Sequence, residues 1–246
     1  MFDNLARVEK ELASLSAGDI LKRAAQLLPG QLVVATGLGP EDQAITHLIA
    51  QHDLNLPLVM VDTGRLFQES HDLLERTRER YALSIKLVFP DDRAVESMID
   101  TFGPNLFRDS PTLRARCCQV RKMHPLARAL APYDAWVSGL RREQSYCRQH
   151  TKVIEWDEVQ GLYKINPLFN WHEKQLWDFI ALHEVPHHEL HQQGYTSLGC
   201  ASCTRAVKAG EAWRDGRWWW EEQPGGESGL HGQAGPCLQT RDSLLV

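Results

Sequence analysis

The chain has 246 residues, 43% hydrophobic and 24% charged, with a formal net charge of −5. That is enough apolar material for one sizeable α/β core plus an appendage, and the acidic balance argues against a general nucleic-acid binder. No stretch approaches the roughly 20 apolar residues of a membrane helix. The acidic N-terminus MFDNLARVEKELASL lacks the basic flank and apolar run of a signal peptide, so a cytoplasmic protein is expected.

In chain order, Leu5–Leu15 and Ile20–Leu28 carry helical spacing, and Pro29-Gly30 stops the second helix. Leu32–Ala35 reads as a buried strand, followed by the turn Thr36–Pro40 and a helix over Glu41–Gln51. A strand, glycine turn and helix in that order can gather backbone N–H groups around a phosphate. Leu58–Val61, Ile85–Phe89 and Ala135–Gly139 are further strands, with helices over Gln68–Arg80, Asp91–Asp100 and Val120–Leu130. Tyr163–Asn166 reads as an edge strand and His172–His183 as a helix. This alternation predicts a parallel twisted sheet with helices on both faces and ligands beyond the carboxyl ends of its strands. From about Gln223 the composition turns to Gly, Pro, Ser and Gln. The expected division is therefore a domain over 1–222 and a mobile tail over 223–246.

Basic residues fall in three groups: Arg114, Arg116, Arg121, Lys122 and Arg128; Arg141, Arg142, Arg148 and Lys152; and Arg205, Lys208, Arg214 and Arg217. In an acidic protein such groups either converge on a small anion or form solvated helix faces. Arg214 and Arg217 also have Trp213 and Trp218–Trp220 nearby for cation–π packing.

Of six cysteines, Cys117 and Cys118 are adjacent, and Cys200 and Cys203 form a C-x-x-C. Clustered cysteines in a reducing compartment point to metal or redox chemistry. Four thiolates suit one Zn²⁺ or one iron–sulfur cluster. The vicinal pair is awkward around one small ion and favours a cluster, in which each thiolate takes its own iron. Taken separately, the pairs also read as a redox dithiol and as two buried small hydrophobes. A helix beginning near Val120 would aim its positive N-terminus at Cys117 and Cys118 and favour thiolates. Lys122, four residues after Cys118, would lie on the same helix face and bridge a cluster and an anionic ligand. Cys147 reads as a loop bystander, and Cys237 as a reactive residue of the tail.

The ordered motifs Asp62–Leu66, Cys117–Lys122, Ser138–Ser145, Lys164–Leu168, Gly194–Arg205 and Gly216–Glu221 resemble the sulfonucleotide reductases of assimilatory sulfate reduction. The resemblance runs from about Leu32 to His231. It implies a core like that of the ATP pyrophosphatases (the adenine nucleotide alpha hydrolase-like fold), a homo-oligomer and thioredoxin as electron donor. Members that keep both cysteine pairs resemble adenosine 5′-phosphosulfate (APS) reductases with a [4Fe–4S] cluster, here on Cys117, Cys118, Cys200 and Cys203. Members without them typically use the 3′-phosphorylated substrate. The turn Thr36–Glu41 stands at the family's phosphate-binding loop and departs from its usual serine-rich form. Asp62, Thr63, Gly64 and Arg65 would line the adenosine side, and Gly139 and Arg148 would contact the nucleotide. Lys122, Arg214 and Arg217 would hold the phosphosulfate.

The family's nucleophile lies in a Glu-Cys-Gly-Leu-His motif, whose counterpart here is Glu227-Ser228-Gly229-Leu230-His231. Serine stands at the nucleophile position, with His231 in place. A serine hydroxyl has no thiolate-like state near neutral pH, so this chain is expected to bind APS without thioredoxin-dependent turnover. Ser228 is either a replacement of the nucleophile, which the intact surroundings favour, or a natural form in which Cys237 serves. Alternatives are a reductase of the 3′-phosphorylated substrate and a non-catalytic iron–sulfur sensor. An ATP-activating enzyme of the same fold would need a pyrophosphate loop with a lysine, which Thr36–Glu41 lacks.

Overall fold

A computed structural model describes residues 5–221. Helices α1 (Leu5–Ala13) and α2 (Ala17–Leu27) come first, followed by β1 (Leu32–Thr36), α3 (Pro40–Gln51), β2 (Leu58–Val61), α4 (Gln68–Tyr81), β3 (Ile85–Val88) and α5 (Asp92–Phe102). Then come α6 (Pro111–Cys118), a π-helical segment (Gln119–Met123), α7 (His124–Leu130), β4 (Ala135–Val137), β5 (Ile154–Asp157), β6 (Leu162–Ile165) and α8 (Glu173–Leu182).

The six strands form one sheet in the order β3-β2-β1-β4-β6-β5. All pairings are parallel except β5 with β6. The sheet is therefore a mixed one, with a single antiparallel edge strand. Strand alternation sorts side chains between its faces. Leu32 and Val34 of β1, Leu58 and Met60 of β2, and Ala135 and Val137 of β4 join the larger core with α1–α4 and α8. Val33, Val59 and Trp136 face the other way and pack with Leu126 and Leu130 of α7. Both faces are covered, as parallel pairing demands.

Two expectations need correction. Tyr163–Asn166 does not contain an edge strand: β6 lies between β4 and β5, and β5 takes the edge. Strand β5 (IEWD) is short, and pairing with β6 rather than its own pattern makes it a strand. The second correction concerns the cysteine pair. Cys117 and Cys118 end α6, and the chain passes through the π segment into α7 with αR geometry at Met123 and His124. The helix therefore runs through Val120 instead of starting there, and the macrodipole argument fails.

Candidate active site

A cavity of about 250 Å³ opens at the carboxyl ends of β1, β2 and β4, where ligands of open α/β sheets bind. One part of its lining is apolar: Ala35, Val59, Val61, Leu126 and Trp136. Another is cationic: Lys122, Arg148, Arg214 and Arg217. Each of the three basic sequence groups sends one or two members here, and the others are spent elsewhere. Arg141 pairs with Glu41, Arg114 with Glu221, and Arg205 with Glu211. Arg148 is steadied by Gln144, whose Oε1 accepts from its Nη1 at 2.6 Å.

The turn after β1 is built around Asp42, which sequence reasoning passed over. Gly39 caps α3, Pro40 opens it, and Asp42 is its third residue. Its Oδ2 accepts from the backbone N–H groups of Gly37 at 2.7 Å and Gly39 at 3.3 Å. Leu38 between them has φ +59°, a left-handed conformation that costs about 1–2 kcal/mol and is held because its side chain is buried in the core. Asp42 keeps some exposed surface where it lines the cavity, but protein crowds its carboxyl, and burial raises its pKa to about 7 against the pull of Gly37, Gly39 and Arg148. Gly139, after β4, is a glycine for the same reason: a Cβ there would lie 2.6 Å from Asp42 Oδ1 and 2.8 Å from Glu41 Cβ. The N–H groups predicted to meet a phosphate are thus taken by a carboxylate of the chain. The missed signal was an acid two residues after a Gly-Pro, a position that also reads as part of an ordinary helix cap.

The turn after β2 divides its labour. Thr63 lines the cavity, whereas Asp62, Gly64 and Arg65 are not among the lining residues. Asp62 accepts from Gly64 N–H at 2.8 Å and faces His71 Nε2 at 2.9 Å. Gly64 has φ +70°, a conformation glycine adopts without penalty. Arg65 donates to the Pro104 carbonyl and lies 5.1 Å from the Phe107 ring centroid. The Arg65 carbonyl accepts from Ala201 N–H at 2.8 Å, and Thr63 Oγ1 sits 3.3 Å from Cys200 Sγ. This turn therefore ties the cavity to the C-x-x-C loop.

Cys117, Cys118, Cys200 and Cys203 are free thiols. Three of them are buried in one apolar cluster with Met98, Leu106, Phe107 and Trp218. Burial raises the pKa of Cys117, and raises that of Cys203 to about 11. Cys200 goes the other way: burial pushes it up, but Lys122, Thr63, Arg217 and Arg65 outweigh that and lower it. No group of three or more His, Cys, Asp or Glu among the described residues is arranged to hold a metal ion.

Arg217 is 4% exposed. It donates from Nε to the Cys203 carbonyl at 3.2 Å and from Nη1 to the Leu198 carbonyl at 2.7 Å. Its Cζ lies 4.9 Å from the Trp218 ring, and that of Arg214 5.4 Å from Trp213. Cation–π packing and a place in the cavity wall coexist. Gly199 is needed beside it, because a Cβ there would approach the guanidinium to 2.3–2.5 Å. Behind the opposite wall, Ser138 donates to Asn166 Oδ1 at 2.5 Å, and Asn166 Nδ2 donates to the Lys152 carbonyl and to Glu155.

Residues 31–206 match the phosphoadenosine phosphosulfate reductase domain. The chain belongs to that family. A relative named adenosine 5′-phosphosulfate reductase in Allochromatium vinosum is 46% identical over 200 residues, covering 81% of this chain and 78% of that protein. One of the same name in Agrobacterium fabrum is 42% identical over 226 residues, covering 92% and 86%. Among solved structures, a phosphoadenylyl-sulfate reductase from Candida auris, in complex with phosphate, superposes with a TM-score of 0.70 at 27% identity, covering 82% of this chain and 95% of that one. An FMN adenylyltransferase from Candida glabrata, at 20% identity and a TM-score of 0.54, shares the fold alone.

The structure brings Thr36, Thr63, Lys122, Gly139 and Arg148 of this reductase domain, with Arg214 and Arg217 beyond it, to one cavity, and sets Cys200 against Thr63 in its wall. Sequence reasoning missed Asp42 and Trp136, and held Ser138 and Gly199 only as members of motifs, because their roles rest on neighbours distant in the chain. Cys147 lies in a short 3-10 turn, Tyr146–Arg148. Ser228, His231 and Cys237, with the expected tail over 223–246, lie outside the described residues. No helix among the described residues is long and apolar enough to cross a membrane.

Proposed function

We propose that this chain binds adenosine 5′-phosphosulfate at the site where its family reduces that substrate to sulfite and AMP in sulfate assimilation. The observation that carries this reading is the composition of the cavity: an apolar slot suited to a purine ring, four cations suited to a phosphosulfate, and the Cys200 thiol against the cavity residue Thr63. The names and similarity of the relatives support it. Asp42 supports the substrate without a 3′-phosphate over its phosphorylated form. Its carboxylate fills the N–H nest after β1 and would repel a further phosphate there.

The four thiols fit a [4Fe–4S] cluster by the chemistry of the donor set. They are free, three of them are buried in one apolar cluster, and the buried Arg217 donates to the Cys203 carbonyl. When bound, such a cluster would supply a fixed negative charge and polarisable sulfur beside the sulfate. The chain's own residues do the rest. Lys122 and Arg217 neutralise the sulfate and phosphate oxygens, Arg214 and Arg148 complete the anion site, and the apolar wall excludes water.

In the complete reaction a cysteine thiolate at position 228 attacks the sulfate sulfur. The S–O bond to the phosphate breaks, and AMP departs with the electron pair. This leaves an S-sulfocysteine, and His231 follows the nucleophile position by three residues. One thiol of thioredoxin then attacks the cysteine sulfur and releases sulfite. The second thiol resolves the mixed disulfide, so two electrons pass from the dithiol. With Ser228 the first step has no competent nucleophile, and this chain is a substrate-binding form that does not turn over. A cytoplasmic homo-oligomer belongs to the same proposal.

The test has two arms. Anaerobically purified protein should contain iron and acid-labile sulfide, and bind APS more tightly than its 3′-phosphorylated form. Ser228→Cys should then switch on thioredoxin-dependent sulfite release. A Ser228→Cys protein that binds APS but releases no sulfite would remove position 228 from the mechanism. Sulfite release by the serine form would point to Cys237 instead.

A further inference from the structure

The motif Lys164–Leu168 contributes no residue to the cavity lining, yet its lysine is 8% exposed on a strand held between two others. The register partners of Lys164 are Trp136 on β4 and Glu155 on β5. The three side chains therefore form one row on one face of the sheet. The Lys164 ammonium lies 5.6 Å from the Trp136 ring centroid. It is also 3.4 Å from Glu155 Oε1 and 3.2 Å from Asp157 Oδ2. Asp157 accepts through its other oxygen from the Val159 and Gln160 N–H groups at 3.1 Å. Glu155 Oε1 also accepts from Asn166 Nδ2 at 3.2 Å, and Asn166 Oδ1 accepts from the Ser138 hydroxyl at 2.5 Å. Trp136 and Ser138 both line the cavity. Lys164 thus reaches two lining residues by separate routes, one across an indole ring and one through Glu155 and Asn166.

Stability alone does not account for this arrangement. Apolar side chains of similar volume commonly match or exceed a buried ion group, and the same face of β1 and β2 carries Val33 and Val59. What the charges add is direction. A cation near an aromatic face favours one placement of the ring, and a satisfied polar network fixes the groups within it. We propose that Lys164 is a positioning residue for the nucleoside end of the cavity, orienting Trp136 through its ammonium and Ser138 through Glu155 and Asn166. This rests on the reading of the cavity as a nucleotide site. Lys164 itself touches no ligand and acts only through these two side chains.

The experiment uses the full chain and reads AMP affinity by calorimetry beside the urea midpoint of unfolding. Lys164→Met strands two carboxylates, so it should lower the midpoint as well as weaken AMP about tenfold. Lys164→Arg keeps a cation beside the indole and should hold AMP within about threefold of wild type. A triple variant, Lys164→Met with Glu155→Gln and Asp157→Asn, removes the three charges together and keeps acceptors for Asn166 and for the turn. It should regain most of the lost midpoint and still bind AMP at least about threefold more weakly than wild type. Trp136→Leu completes a double-mutant cycle. The AMP loss caused by Lys164→Met should be at least about threefold smaller in the Trp136→Leu background. The triple variant takes the place of Lys164→Met in the cycle if that protein fails to fold by circular dichroism. Wild-type AMP affinity in Lys164→Met or in the triple variant would overturn the proposal. So would strictly additive losses in the cycle, or an AMP loss in Lys164→Arg equal to that in Lys164→Met. Each of these leaves the nucleotide reading standing when the wild type binds AMP. A wild type that binds no AMP would sink that reading and the proposal with it.

Discussion

Asp42→Asn isolates one charge. The amide keeps an oxygen that can accept from Gly37 and Gly39 but cannot ionise. In the native state burial raises the Asp42 pKa from 3.8 to about 7. Below pH 3.8 the carboxyl is protonated whether the chain is folded or not, and the shift has no effect on stability. Between pH 3.8 and 7 the unfolded chain releases the proton and the folded one retains it. Stability is therefore lost with rising pH at about 1.4 kcal/mol per unit. The loss is about 1.5 kcal/mol at pH 5 and levels off near 4 kcal/mol above pH 7, an upper bound because the side chain borders a cavity open to water. Relative to wild type, Asp42→Asn should gain about 2–3 kcal/mol in urea-unfolding free energy between pH 5 and pH 8. The comparison between proteins cancels the titration of every other group. A difference that stays flat over this range would refute the burial argument. The same variant should narrow the gap between AMP and adenosine 3′,5′-bisphosphate binding, because it removes the negative charge at the nest.

Gly199→Ala should displace the Arg217 guanidinium from the Leu198 and Cys203 carbonyls. Losing two charge-assisted hydrogen bonds from a buried arginine should lower the unfolding free energy by about 3 kcal/mol or more, and moving the guanidinium should weaken AMP or APS binding, read by calorimetry. Unchanged affinity would mean that Arg217 does not hold the anion from its present place. Asn166→Ala strands Ser138 and the Lys152 carbonyl in a buried site and should lower the unfolding free energy by about 2–4 kcal/mol. Its AMP affinity should fall as well, since Ser138 lines the cavity. Gly139→Ala forces a Cβ against Asp42 and Glu41, so it should weaken nucleotide binding more than it lowers thermal stability, measured side by side.

Much of the fold was readable because it is local. The valine-rich runs of β1 and β2, the glycine and proline punctuation, and the 3.6-residue stripes of the helices each report a preference of a few neighbouring residues. What went astray depended on partners elsewhere. Strand β5 exists through its pairing with β6. Helix α6, with charges on several sides and little apolar stripe, is helical because Ser110 caps it and the chain continues into the π segment. That continuity is what removed the helix-terminus argument for Cys117 and Cys118.

For the site, residue types and spacing were enough to single out the cysteines, Lys122 and the tryptophan-flanked arginines, because thiolates and guanidinium groups carry their chemistry wherever they sit. The resemblance to the family's motif singled out serine at position 228, a residue identity that folding does not alter. Tertiary structure decided which of thirteen basic residues in three groups meet at one cavity. It also put a carboxylate, rather than a ligand phosphate, on the N–H groups after β1. Both outcomes depend on distances between segments tens of residues apart. Such distances are set by sheet order and by side chains that cannot share the same space, as Gly139 and Gly199 show, and no local pattern in the chain encodes them.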